Sequence, residues 1–330
     1  MKAVLCKAFG SPDSLVVEDV DSPLPGRGEV VVTVYASGVN LPDSLVIEGK
    51  YQLKPPLPFS PGGEVAGTIK AVGPGVDGFR AGDRVMALPL YGGYAEELLV
   101  TQDRLLHLPQ NIDFADGAAF PISFGTTHYA LRERARIQPG ETLLVLGAAG
   151  GSGLAAIALG KLMGARVIAA ASSGEKLDLC RQHGADAVIN YASEDLRERI
   201  MELSEGRGVD VVFDPVGGAL AEKALRCMAW NGRFLVIGFA SGEIPRIALN
   251  LALLKGISIV GVFWGSFRQK EPSRSTALLD ELMAWFRQGK IRPYITSRLP
   301  LEEAARALAH LMQRKGTGKT VLIPGGRALA

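Results

Sequence analysis

Cysteine is scarce: Cys6, Cys180 and Cys227 are the only three in 330 residues, odd in number and far apart. That spacing excludes a disulfide scaffold, and it excludes a structural zinc site of four clustered thiolates. It suits reduced, buried thiols in a cytoplasmic protein. Histidine is sparse too, with His107, His128, His183 and His310 scattered along the chain. Neither sign of charge dominates, since 36 Lys and Arg stand against 34 Asp and Glu for a net +2. Such a balance gives no electrostatic reason to bind nucleic acid or an anionic membrane. No charge block, low-complexity tract or internal repeat is visible. No apolar run approaches the ~20 residues of a membrane span, and Met1–Gly10 lacks the apolar stretch of a secretory signal. The expectation is a cytoplasmic globular protein with no membrane or nucleic-acid partner.

What the chain does have is apolar residues (47%) and glycine (40 residues), enough for two sizeable cores with frequent turns. The densest signal runs from Glu141 to Lys176. Glu141–Gly147 is a short apolar run of the kind that a buried parallel strand needs. A turn follows at Ala148–Gly153, then a helix-prone Ala/Leu stretch over Leu154–Met163, a stop at Gly164, and a second apolar strand at Arg166–Ala171. This is a βαβ unit with a glycine-rich turn after its first strand, the context in which a dinucleotide fingerprint carries weight. Ala149, Gly150, Gly151, Ser152 and Gly153 are the candidate phosphate-binding residues. Gly150 would let backbone approach a pyrophosphate, Gly153 would let helix pack close to strand, and the helix N-terminus would face the anion. Ala148 stands where the fingerprint has its first glycine. The competing reading is a tight βα turn in some other doubly wound sheet.

The end of the second strand decides between NADH and NADPH. A carboxylate there holds a ribose 2′-hydroxyl, but Ala171 occupies the position. Ser172 and Ser173 are small donors, and Lys176 is a point charge suited to a 2′-phosphate. Glu175 argues the other way, because it could reach the ribose.

The first third is β-rich. Strands are expected at Met1–Lys7, Leu15–Val20, Glu29–Ser37, Gly63–Val72, Arg84–Leu88 and Leu98–Thr101. Tyr51–Pro61, with Pro55, Pro56, Pro58 and Pro61, excludes regular structure. Many short strands suggest a partly closed barrel. Helices are expected at Phe114–Ala119 and Thr126–Arg136. Strand and helix then alternate through strands at Ala187–Asn190, Gly208–Phe213, Gly232–Phe239 and Ser258–Phe263, as a doubly wound parallel sheet requires. After Trp264 a helix at Thr276–Arg287, a strand at Ile295–Leu299, a helix at Leu301–Gln313 and a strand at Thr320–Pro324 are expected to return to the first domain. The division is therefore set at 1–122 with 266–330, and 123–265.

The motifs Ser37–Asp43, Pro61–Gly67, Val72-Gly73, Gly82–Val85, Gly92–Glu96, Gly125–Thr127, Ala148–Gly153, Asp214–Gly218, Val236–Phe239 and Gly316–Leu322, in that order, resemble the medium-chain dehydrogenase/reductases, and within them the zinc-free quinone oxidoreductase branch. The resemblance covers essentially the whole chain. It implies an α/β fold in which a GroES-like β-barrel catalytic domain carries an inserted Rossmann doubly wound sheet. Zinc-dependent relatives supply a Cys and a Gly-His-Glu motif, where this chain has Asn40 nearby and Gly63 at the histidine. The resemblance therefore implies no metal, and favours electron-poor acceptors. It places Asn40, Thr126, Thr127, Gly238, Phe239, Ala240, Val262, Phe263, Trp264 and Lys319 near the nicotinamide, and Tyr191 near the 2′-phosphate. Asn40, Asp43 and Tyr51 are the polar candidates at the substrate, with Tyr91, Phe263 and Trp264 as apolar walls. His128 reads as a packed core histidine. Gly318-Lys319-Thr320 imitates a P-loop, but no helix pattern follows it. The expected activity is NADPH-dependent, zinc-independent hydride transfer to a quinone or an α,β-unsaturated carbonyl, by a homodimer paired through the strand Ser258–Phe263. An enoyl-thioester reductase and a catalytically idle NADPH-binding sensor are the alternatives.

Overall fold

A computed structural model describes residues 1–326. The chain divides into two compact units, Met1–Ile122 with the chain from Arg292 onward, and Ser123–Ile291. In the first unit β1 (Lys2–Leu5) pairs antiparallel with β2 (Val16–Asp19). Then come β3 (Glu29–Gly38), α1 (Leu41–Ile47), β4 (Val65–Val72), β5 (Arg84–Ala87), β6 (Glu97–Thr101), β7 (Leu105–His107) and α2 (Phe114–Ala119). β3 is the spine of this part: it pairs antiparallel with both β4 and β6. Its β-branched run explains the role. Val30, Val32 and Val34 are buried in one cluster with Val65, Ile69, Val85, Leu98 and Val100, and such residues fit a pleated surface covered by neighbours. β7 has no counterpart among the expected strands; three residues are too few for a periodic signal.

The helix expected at Thr126–Arg136 starts earlier and changes type. α3 (Pro121–His128) opens on a proline, which fits a helix start, and passes into a π-helical segment at Tyr129–Ala135. It stops at Arg136, whose φ of 50° is left-handed. Periodicity shows the helix but not the widened turn.

In the second unit the order is β8 (Thr142–Leu146), α4 (Gly151–Leu162), β9 (Arg166–Ala171), α5 (Gly174–Gln182), β10 (Ala187–Asn190), α6 (Leu196–Leu203), β11 (Val209–Asp214), α7 (Gly218–Arg226), β12 (Met228–Val236), α8 (Asn250–Lys255), β13 (Ser258–Gly261), α9 (Trp264–Lys270) and α10 (Pro272–Arg287). All six strands are parallel in the order β10-β9-β8-β11-β12-β13. The order reverses between β8 and β11, and in such sheets a ligand crevice lies beyond the carboxyl ends of the strands at that point. Leu144, Leu146, Ile168, Val212 and Phe234 fill the core on one face, with α6 and α7 packed over them through Leu196, Ile200, Ala221 and Leu225.

The chain returns to the first unit later than expected. The sequence division set the return at 266, whereas it lies at Arg292. α9 and α10 stay with the second unit because aromatic and polar contacts hold them there. Phe267 stacks on Tyr129 with centroids 4.2 Å apart, and Glu281 Oε2 accepts from His128 Nε2 at 2.9 Å. The returning segment forms β14 (Ile295–Pro300), a 3-10 turn at Leu301–Glu303, α11 (Ala304–Met312) and β15 (Lys319–Ile323). β15 pairs with β3, so the sheet reads β14-β15-β3-β4-β5-β7, with β6 also on β3. Among the described residues no helix is long and apolar enough to cross a membrane.

Gly67 shows how tightly β3 and β4 meet. A Cβ there would lie 2.0 Å from Thr33 O, a distance that backbone cannot accommodate. Gly67→Ala is therefore expected to destabilise the first unit by about 1–3 kcal/mol. A lower urea midpoint with an unchanged slope would show it, and an unchanged midpoint would refute the packing argument.

Candidate functional site

In the second unit the turn after β8 delivers the chain directly into α4. Gly150 is the N-cap and has no side chain to cap the helix, so the first-turn N–H groups of Gly151, Ser152 and Gly153 are the orphan donors of a helix start. A Cβ on Gly150 would meet only Gly147 O, at 3.5 Å; the protein leaves the space over the turn open. A Cβ on Gly153 would fall 2.5 Å from the carbonyl oxygens of both Gly147 and Ala148. The two glycines thus do different things: one leaves room for an anion before the helix, the other lets helix and turn touch. The dipole and free N–H groups of α4 suit a diphosphate there.

At the end of β9, Ala171 is buried and Ser172 is exposed. Ser173 caps α5, its hydroxyl oxygen accepting from Lys176 N at 3.4 Å. Tyr191 N donates to Ala171 O at 3.1 Å, which brings the residue after β10 beside Ser172. Ser172, Ser173, Lys176 and Tyr191 are therefore gathered at one strand end, with no carboxylate at the position of Ala171. Glu175 is exposed.

Beyond β11, Asp214 organises the loop. Its Oδ1 accepts from Val216 N at 2.8 Å and Gly217 N at 2.9 Å, and burial pushes its pKa up against those two bonds. Its backbone carbonyl accepts from Ile237 N and Gly238 N, while Ala240 N donates to Pro215 O. Gly238, Phe239 and Ala240 are thereby fixed against the β11 loop. Phe263 is 50% exposed and Trp264 8%. Its ring lies on the α3 backbone, where a Cβ on Gly125 would fall 2.4 Å from Cζ2. Val262 is buried and donates its N–H to Val236 O. Thr127 is buried and donates its hydroxyl to Ser123 O at 2.7 Å; Thr126 is half-buried. His128 sits in the core as the sequence reading has it, with burial lowering its pKa and Glu281 opposing that shift.

The first unit holds a buried polar cluster where β3 meets α1. Glu64 is 0%, Asp43 5%, Lys319 5% and Asn40 7% exposed. Lys319 Nζ donates to Glu64 Oε1 at 2.6 Å, to Asn40 Oδ1 at 2.6 Å and to Val39 O at 3.3 Å. These three acceptors engage all three N–H bonds of the Lys319 ammonium within the cluster. Asn40 Nδ2 donates to Glu64 Oε1 at 2.8 Å, so its side chain is also engaged within the cluster. Asp43 Oδ2 accepts from Asn40 N at 2.9 Å and from Tyr94 O–H at 2.8 Å. Its Oδ1 is turned towards Gly63, 3.6 Å from where a Cβ would stand. Burial pushes the Asp43 carboxyl up to about 6, opposed by its bonds to Tyr94 and Asn40 and by the charge of Lys319. Tyr51 is half-buried in the loop after α1, and burial together with the charge of Asp43 raises its pKa. Among the described residues no three His, Cys, Asp or Glu side chains gather to hold a metal ion.

Glu64 and Tyr94 are the members that sequence reasoning missed. Both lie inside motifs that were recognised, Pro61–Gly67 and Gly92–Glu96. A charged residue at the mouth of the apolar run Val65-Ala66 was the available signal for Glu64.

A family model described as zinc-binding dehydrogenase matches residues 151–282, and one described as alcohol dehydrogenase GroES-like domain matches residues 26–110. A quinone oxidoreductase-like protein 2 homolog of Nematostella vectensis is 41% identical over 325 residues, covering 97% of this chain and 88% of that protein. A quinone oxidoreductase of Pseudomonas aeruginosa is 38% identical, covering 98% of this chain and 99% of that protein. The solved structure of Escherichia coli quinone oxidoreductase complexed with NADPH matches with a TM-score of 0.92 at 31% identity, covering 98% of this chain and 100% of that one.

The raised Asp43 carboxyl makes stability depend on pH. Unfolded, it loses its proton near its ordinary value of 3.8; folded, near 6. Between those values the folded state holds a proton that the unfolded state has released. Its contribution therefore favours folding in acid and is lost as pH rises through about 6. Asp43→Asn keeps an acceptor for Tyr94 and Asn40 but does not ionise. From pH 4 to pH 7 it is expected to gain on the order of 3 kcal/mol relative to the unsubstituted protein. Urea titrations at the two pH values measure this, and an equal difference at both would refute it.

Proposed function

We propose, for a chain that belongs to the quinone oxidoreductase branch of the medium-chain dehydrogenase/reductases, that the protein is an NADPH-dependent oxidoreductase acting on a quinone or an α,β-unsaturated carbonyl. The observation that carries the cofactor choice is the end of β9, where Ser172, Ser173, Lys176 and Tyr191 gather with no carboxylate at Ala171. A 2′-phosphate is accommodated there, with Lys176 as its countercharge. The open turn over Gly150 and the uncapped start of α4 suit the pyrophosphate.

Bound NADPH supplies a hydride. The chain's own residues bind, orient and manage protons. Tyr51, with its pKa raised, keeps its hydroxyl proton at neutral pH and can donate a hydrogen bond to an acceptor's carbonyl oxygen. Asp43, balanced near pH 6, can hold or release a proton close to working pH. Asn40 and Gly63 offer neither thiolate nor imidazole at the positions that zinc-dependent relatives use. That favours acceptors already electron-poor, and binding and orientation then supply most of the rate. The three thiols, Cys6, Cys180 and Cys227, are free and buried, which suits the reducing cytoplasm.

The test is NADPH oxidation across ortho-quinones, para-quinones, enals and enoyl-CoA esters. Turnover of a quinone or enal supports the reading, and turnover of enoyl-CoA alone moves the protein to the enoyl-thioester reductases. Binding of NADPH without turnover of any acceptor leaves a cofactor-binding sensor. Lys176→Ala is expected to raise KM for NADPH by roughly 10-fold, the worth of one charge-assisted bond, and to leave KM for NADH unchanged. Equal use of the two cofactors by the unsubstituted protein would sink the phosphate assignment.

The same reading makes the protein a homodimer paired through β13. That strand is an edge of the six-stranded sheet, and Leu249, Leu253 and Leu254 nearby in sequence are 75%, 80% and 70% exposed. An unpaired edge beside exposed leucines suits a second copy. Light scattering is expected to give twice the chain mass, and half that value for Leu253→Glu with Leu254→Glu. A monomeric unsubstituted protein would refute the pairing.

A further inference from the structure

Glu64 belongs to no motif role assigned so far, yet four chain segments converge on it. Oε1 accepts from Lys319 Nζ in β15 and from Asn40 Nδ2 before α1, at 2.6 and 2.8 Å. Oε2 accepts from Ile122 N at the start of α3, at 2.9 Å. Its backbone carbonyl accepts from Gly38 N at 3.0 Å and Ser37 Oγ at 3.2 Å, both in β3. The end of β3 is shaped around the carboxylate, since a Cβ on Gly38 would fall 2.3 Å from Glu64 Oε1. An ion pair with the carboxylate fully buried is weak support for stability, because well-packed apolar residues of similar volume often do as well or better. What a buried pair can supply is a fixed position and a local field.

We propose that Glu64 is a positioning residue for the hydride-transfer reaction: paired with Lys319, it fixes the Asn40–Asp43 turn at the start of α1. The inference rests on the oxidoreductase reading and deepens it. Asn40 is the hinge of the arrangement. Its side chain is clamped by Lys319 and Glu64, while its backbone N–H donates to Asp43 Oδ2. Moving the clamp moves the carboxyl. The clamp also sets the field at Asp43: Lys319 favours its ionised form and Glu64 opposes it. The groups around Asp43 are Tyr94, which donates to it, Lys319, Glu64, and Tyr51, whose pKa responds to its charge. Removing Glu64 and removing Lys319 should therefore move the Asp43 titration in opposite directions, and a merely structural role would leave kcat unchanged in variants that still fold.

The test uses Glu64→Gln, Lys319→Met, the double variant, and Glu64→Asp. Carbon-13 NMR of carboxyl groups in the cofactor-free protein reads the Asp43 midpoint directly. It is expected to fall in Glu64→Gln and to rise in Lys319→Met. The single variants leave one buried charge uncompensated, so the double variant is the control for folding, and Glu64→Asp retains the charge with a shorter reach. In the double variant and in Glu64→Asp, kcat with the acceptor found above should fall at least 10-fold. The Kd for NADPH, read from its fluorescence, should stay within twofold. Lack of any turnover by the unsubstituted protein would overturn the oxidoreductase reading. An active unsubstituted protein with kcat within twofold in Glu64→Asp, or Asp43 midpoints that move in one direction in both single variants, would overturn the role of Glu64.

Discussion

Close approach of backbone to backbone, or of backbone to a buried side chain, is the constraint on which both units depend. Three glycines show it. Gly153 brings the first turn of α4 against the carbonyls of Gly147 and Ala148, Gly67 brings β4 against Thr33, and Gly38 leaves space for the Glu64 carboxylate and Ala118 O. In each case even a methyl group would overlap an atom that cannot move cheaply. The dinucleotide turn and the polar cluster are thus consequences of the same economy of space. One leaves the N–H groups of a helix start open; the other lets an ion pair sit buried within the first unit.

The polar cluster also shows which buried charges a fold tolerates. Lys319 spends all three N–H bonds, and both Glu64 oxygens accept. Full satisfaction is the condition under which a buried pair survives desolvation. Asp43 differs from Glu64. One oxygen takes both of its donors, Tyr94 and Asn40, and the other is turned towards Gly63. Burial, only partly offset by those bonds and by the charge of Lys319, is what raises its carboxyl to about 6.

Much of this was legible in the sequence, and the reason differs by element. The parallel strands of the second unit run four to nine residues, and most are apolar runs bounded by glycine and polar turns, so their approximate places followed from pattern; β12 begins at Met228, four residues before the expected Gly232, because Trp230 and Asn231 interrupt its apolar run. The glycine turn into α4 and the lack of a carboxylate at Ala171 were readable because they are local. What escaped was non-local or aperiodic. β7 is too short to show a period, the π-helical turn after His128 leaves the apolar spacing intact, and α9 begins at Trp264 without a capping side chain. The return of the chain at Arg292 was misplaced because the contacts of α9 with Tyr129 and of α10 with His128 join residues well over a hundred positions apart.

Two residues of the expected site make the same point. Trp264 and Lys319 have the chemistry of a site, an aromatic wall and a cation, and the family resemblance placed them at the cofactor. The structure uses both inward, Trp264 on the Gly125 backbone and Lys319 on Glu64 and Asn40. Residue type tells what a side chain can do, whereas burial and the number of bonds already made tell what it is still free to do. By that measure, in the second unit the first-turn N–H groups of α4, Ser172 and the ring of Phe263 keep a face open. They offer an anion-binding helix start, a small donor and an apolar surface, the kinds of contact by which a fold binds and orients a phosphorylated dinucleotide.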